Sequence, residues 1–270
     1  MDISKIEKNH TMNEYDLNTK RMYLIEKLGV KTTLFEIRIE NNSIIANYSP
    51  LDLEFVYIPE GVYTKGLTVK EKRHAKKINR DIFFEDTEME VEEGIFVSDM
   101  LVTRTPVLNS FVQKYLDIKC FNGEENFAAY LRKDQVDFLC EQLNLRLPTE
   151  NEWEYFVRAG SSDLFSFGNQ LPDEMELEKW LSFDFSDLNS INSNKFGLYG
   201  IYTGEWCSDL YKKNNSSSQT EGFVIKGGGA YFWPWQADEW IWCMSAMRMC
   251  SKGLVDGECG FRLVYDLNNE

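Results

Sequence analysis

The sequence predicts an α+β domain with long irregular loops, and three observations lead there. Segments with the helical spacing of apolar residues lie early in the chain. Short, irregular strand-like runs dominate its last part. Between them run polar stretches with little periodicity, and no segment repeats. With 270 residues, 43% of them apolar, there is material for one large domain with additions or for two small ones.

Residues 1–50 are expected to form an N-terminal extension, a helix plus a short hairpin. "NTKRMYLIEKLGV" has helical spacing with Gly29 as its stop. "TTLFEIRI" and "SIIANY" are strand-like, and Asn41 and Asn42 suit the turn between them. Residues 51–270 form the main domain. "LEFVYIPEGVYTKG" gives two strands about a turn at Pro59 and Gly61. "KGLTVKEKRHAKKINR" is basic and "EDTEMEVEEG" acidic, which reads as a solvated surface loop whose halves attract each other. "GIFVSDMLVT" is a strand, while "TPVLNSFVQKYL" and "KDQVDFLCEQLNL" are helices. In "RLPTENEWEYFVRAG", Thr149 and Glu152 form a capping box, Trp153, Phe156 and Val157 supply a buried stripe, and Gly160 ends the helix. From Ser161 to Asn194 the chain reads as an acidic loop. Arg146, Arg158, Arg248 and Arg262 are expected to pair with carboxylates, because a buried guanidinium needs a partner.

The net charge of −15 argues against a nucleic-acid partner and against an anionic membrane surface, since both demand clustered Lys and Arg. No apolar stretch is long enough to span a bilayer, and "MDISKIEKNHTMNEYD" is too polar for a secretory signal. Cys120, Cys140, Cys207, Cys243, Cys250 and Cys259 are scattered, with no CxxC pair. A cytoplasmic setting with free thiols is the expectation.

The segments "FVYIPEGVYTKG", "MLVTRTPVLNSFVQKYL", "RLPTENEWEYFVRAG", "NKFGLYGIYTGEWCSDLY", "IKGGG" and "CGFRLV" together resemble the formylglycine-generating enzyme superfamily, also called the sulfatase-modifying-factor domain. They occur in family order between about Leu53 and Val264. The resemblance implies a C-type-lectin-like fold of a small twisted sheet, flanking helices and much irregular structure.

The chemistry implied by that resemblance is not matched. Oxidases of the family hold copper with a C-x4-C pair shortly after a double glycine, soft thiolates suiting Cu(I). Counted from Gly227 and Gly228, the first cysteine position falls on Phe232 or Trp233; counted back from Arg248, the second falls on Trp240. Cys243, Cys250 and Cys259 have other spacings. The iron-dependent branch uses three histidines, whereas this chain has only His10 and His74, both outside the matching segments. A family calcium site would rest here on Glu205 and Asp209, in a segment that is shorter and carries Gly200 where asparagine is usual. No catalytic residue, metal or cofactor is therefore expected.

Tyr231 to Trp242 replaces that chemistry with aromatic rings. Trp233, Trp235, Asp238, Glu239, Trp240 and Trp242 are the candidate residues for holding a protein or peptide partner, since rings beside carboxylates suit basic or apolar segments. The competing reading is that the rings fill an emptied groove as core. Trp235, beside Pro234, and Trp240, after two carboxylates, are expected to point outward, and Trp233 or Trp242 to be structural. The expectation is a non-catalytic binding or regulatory module, a pseudoenzyme on this scaffold. The alternatives are an oxidase with a rearranged site and a hypervariable ligand-display protein.

Overall fold

A computed structural model describes residues 3–80, 89–118, 124–212, 222–228 and 239–268. Helix α1 (Ile3–Leu28) stops at Gly29, and a 3-10 turn (Gly29–Leu34) delivers the chain to β1 (Phe35–Glu40). Strand β2 (Ser43–Tyr48) returns antiparallel with Glu40 opposite Ser43. That two-residue connection requires positive φ at both central positions, and Asn41 and Asn42 supply it at +48° and +63°. There follow β3 (Leu53–Ile58), β4 (Gly61–Lys65), α2 (Val69–Ile78), β5 (Glu92–Val97), β6 (Met100–Thr103) and α3 (Asn109–Val112). Next come α4 (Lys133–Leu143), α5 (Glu150–Arg158) and α6 (Glu174–Trp180). The chain closes with β7 (Glu205–Leu210), β8 (Phe223–Lys226), β9 (Arg248–Ser251) and β10 (Val264–Asp266).

The central sheet has the order β1-β2-β3-β6-β10 and is antiparallel throughout. Strands β4 and β5 form a separate ribbon, and β7-β8-β9 a three-stranded sheet. Because side chains alternate across a strand, the central sheet feeds two cores. Ile45, Val56, Ile58, Met100, Val102 and Val264 face one, with Trp153, Phe156 and Val157 of α5. Ile44, Ala46, Phe55, Tyr57, Leu101 and Leu263 face the other, with Leu24 and Leu28 of α1 and Val136 and Leu139 of α4. The hairpin of the N-terminal segment pairs with β3 in register Ile45↔Val56, so the division drawn at residue 50 falls within one sheet.

Three elements differ from the sequence reading. The basic run is helix α2 rather than a loop: Thr68 and Glu71 form a full capping box, and Glu71 and Ala75, four apart, turn inward. "GIFVSDMLVT" is two strands in two sheets, broken at Ser98–Asp99, where Lys27 of α1 pairs with the buried Asp99. The stretch after Ser161 contains α6, started by Asp173 accepting from the Glu176 amide at 3.0 Å. The acidic positions 85–88, the serine-rich run 214–221 and residues 229–238 lie outside the described residues.

The 146–160 motif works as a knot. Thr149 Oγ1 accepts from the Glu152 amide at 3.2 Å, and Glu152 Oε2 accepts from the Thr149 amide at 2.7 Å. Arg146 then bridges Glu152 (2.7 Å) and Asp266 of β10 (2.6 Å), tying the helix start to the C-terminal strand. The helix ends on Ala159 and Gly160, both at positive φ. Thr149→Ala is expected to cost only about 1 kcal/mol, the usual worth of an N-cap, because the Arg146 contacts survive; thermal melts measure it.

Candidate functional site

The described residues on either side of the aromatic segment are buried anchors. On its N-terminal side, β8 ends in Lys226, fully buried, whose Nζ donates to Glu154 Oε2 at 3.0 Å and lies 5.6 Å from the centre of the Trp153 ring. Gly227 follows at φ +81°, and a Cβ there would stand 2.8 Å from a Trp153 ring carbon. Glycine is therefore required by both conformation and contact. On the C-terminal side, Glu239–Cys243 form a 3-10 turn. Trp240 meets the Phe165 ring edge-on at 6.0 Å. The Ser245 amide donates to the Leu164 carbonyl at 2.9 Å, and Ser245 Oγ lies 3.1 Å from Tyr202 Oη.

Beneath the anchors lies a network of buried charge. Glu154 accepts from Lys226, from Arg158 Nε at 2.9 Å and from the Gly66 amide at 2.8 Å. Burial pushes its carboxyl up, but Lys226 and Arg158 outweigh burial and hold it below the ordinary glutamate value. Arg158 also donates to Glu71 at 2.6 Å. A second cluster joins Glu205 to Trp153 Nε1 and Arg262 Nε, each at 2.8 Å. Here burial dominates and raises the Glu205 carboxyl, only partly offset by Arg262. All four arginines singled out in the sequence have carboxylate partners, Arg248 taking Glu150 at 3.1 Å. The sequence reading missed Lys226 and Glu154; the spacing of Glu154 and Arg158, one helical turn apart, was the available signal.

The candidate partner-binding residues divide. Trp233, Trp235 and Asp238 lie outside the described residues, as does the Glu239 side chain. Trp242 is half-buried. Trp240 corrects the expectation that it points outward: it is 2% exposed and belongs to the core. The reason is the 3-10 turn, in which residues three apart share a face. Trp240 and Cys243 both turn inward, despite the two carboxylates that precede Trp240. Trp240→Ala is accordingly expected to open a cavity and cost about 3–5 kcal/mol of stability, measured by denaturant melts.

Glu205 and Asp209, the oxygens suggested for a calcium site, each accept hydrogen bonds from the protein. Both Glu205 oxygens are taken by Trp153 and Arg262, and Asp209 Oδ2 accepts from the Glu150 amide at the start of α5 at 2.6 Å. Cys207 and Cys259 are buried, and burial raises both thiols well above their ordinary value, away from the thiolate form a soft metal needs. Among the described residues no group of three or more His, Cys, Asp or Glu side chains gathers to hold a metal ion. Nor is any described helix long and apolar enough to cross a membrane.

The central antiparallel sheet, its packed helices and the double-glycine turn under Trp153 define an α+β scaffold of the formylglycine-generating-enzyme type. The sulfatase-modifying factor enzyme 1-like domain matches residues 118–267, more than half of the sequence, and the chain belongs to that family. Among solved structures it is similar to Treponema denticola variable protein 1, at 18% identity and a TM-score of 0.55 over 86% of this chain and 98% of that one. It is also similar to PvdO from Pseudomonas aeruginosa, at 19% identity and a TM-score of 0.56 over 79% of this chain and 94% of that one. At these identities the likeness is one of fold. No curated protein matches the sequence.

Proposed function

We propose that the protein is a non-catalytic binding or regulatory module, a pseudoenzyme that holds a protein or peptide partner with the aromatic segment between Gly228 and Trp242. The observation that carries this reading is Trp240. It stands where the second cysteine of a copper pair would fall, and it is packed into the core against Phe165. An indole offers no thiolate to a soft metal. In this reading Trp233, Trp235, Asp238, Glu239 and Trp242 bind the partner, and the buried Trp240 anchors the segment. The reading carries with it a cytoplasmic setting and no cofactor.

The test is a pull-down with wild type against a Trp233→Ala, Trp235→Ala double variant. A central interface tryptophan contributes about 2 kcal/mol or more, roughly thirty-fold in affinity. Loss of a specific partner with an unchanged melting temperature supports the proposal. Stoichiometric Cu(I) binding that vanishes on Cys243→Ser would overturn it in favour of a rearranged oxidase.

A further inference from the structure

We propose that the exposed face of α2, with the cleft beside it, is a docking site for an acidic segment of another protein that carries an apolar anchor side chain. None of its lining residues belongs to the aromatic segment. Charge is locally inverted at α2. The chain carries −15 overall, yet residues 69–80 hold Lys70, Lys72, Arg73, Lys76, Lys77 and Arg80 against the single acid Glu71. The fold removes even that acid from the surface. Glu71 is buried, its Oε1 taken by Arg158 at 2.6 Å and its Oε2 by the Thr68 amide at 2.7 Å. Lys70, Arg73, Lys76, Lys77 and Arg80 remain exposed. Among the described residues, Arg73, Lys76 and Lys77 have no carboxylate within ion-pair distance.

Alongside this face runs a cleft of about 740 Å³ between His74, Lys77 and Ile78 of α2 and Phe167, Asn169, Gln170 and Leu171. Among the described residues its lining contains no carboxylate. The nearby Asp163 is spent on Ser161 Oγ at 2.7 Å and on the Asn169 amide. The apolar wall is held in place from behind. Phe167 stacks on Phe165 at 4.8 Å and meets Trp180 at 5.5 Å and Tyr202 at 5.8 Å. A rigid ring wall beside cations and amides suits a peptide whose acidic residues meet the helix and whose apolar side chain enters the cleft. The basic face, one ten-residue helix at about 1.5 Å per residue, is about 15 Å long and matches roughly five extended residues. Nucleic acid fits less well: the cations occupy one short helix, and the rest of the molecule repels a polyanion.

The experiment is fluorescence anisotropy with a labelled peptide of Glu and Asp around one central Leu, at low and physiological salt. Arg73→Glu with Lys77→Glu should weaken binding at least about tenfold, and replacing the central Leu by Gly should also weaken it. Both reversed residues are exposed, so the fold is not at stake. Lys20→Glu is the control: α1 packs into the core on the opposite face of the central sheet from α2, and this variant should bind as wild type. Absence of saturable binding, an equal loss in the Lys20 variant, or tighter binding of duplex DNA through the same two residues would each overturn the proposal. So would binding that appears only after Glu85→Gln, Asp86→Asn and Glu88→Gln, since the chain's own acidic run would then be the occupant.

Discussion

Trp153→Ala is expected to cost about 3–5 kcal/mol of folding stability, the range for truncating a large buried aromatic, and to fall toward its upper end. The indole is fully buried, so truncation opens a cavity beneath Gly227. It also removes the N–H that Glu205 accepts at 2.8 Å, leaving that carboxylate to Arg262 alone. A buried acceptor stripped of its donor costs about 1–3 kcal/mol in its own right. Trp153→Phe separates the two effects, because phenylalanine keeps most of the volume and donates nothing. The gap between the Phe and Ala variants then reads the cavity, and the gap between Phe and wild type reads the hydrogen bond. Urea titrations with a common m-value measure both. If Trp153→Ala unfolded with the wild type, the motif's tryptophan would not be the anchor of this fold.

Glu154→Ala is expected to cost about as much, 3–5 kcal/mol, the usual penalty for removing one partner of a buried ion pair. Arg158 would keep Glu71, so the loss concentrates on Lys226, which is 0% exposed and has no other carboxylate paired to it among the described residues. The same pair predicts a pH dependence. Burial raises the Glu154 carboxyl, Lys226 and Arg158 lower it further than burial raises it, and the folded value lies below the ordinary one. A depressed carboxyl adds stability that is present above its unfolded pKa, about 4.3, and is lost as pH falls through the folded value. Wild type should therefore lose stability in acid faster than Glu154→Gln, and the two sets of melting temperatures should converge. A gap that stays constant into acid would show that the carboxylate charge is not what holds Lys226.

The aromatic run shows where reading a sequence stops. Its composition marked it out, and its place after the double glycine is fixed by the chain. The facing of Trp240 was not legible, because the two carboxylates before it suggest water, whereas the 3-10 turn turns it inward and Phe165 receives it. Helix α2 escaped for a related reason. It has almost no apolar stripe to detect, and its inward face includes a glutamate that is buried only because Arg158, 87 positions away, receives it.

What the sequence determined by itself is local. The Asn41–Asn42 hairpin, the Thr149–Glu152 cap and the stop at Gly29 each close hydrogen bonds or dihedral requirements within a few residues, so the neighbouring side chains suffice. That four arginines would need acids was also legible, since burying a guanidinium demands it. Which acids, the tertiary structure alone decided. Arg146 finds Asp266 across 120 positions, Arg262 finds Glu205 across 57, and Lys226 finds Glu154 across 72. Burial and ion pairing depend on which surfaces the fold brings together, and spacing along the chain does not encode that for residues so far apart.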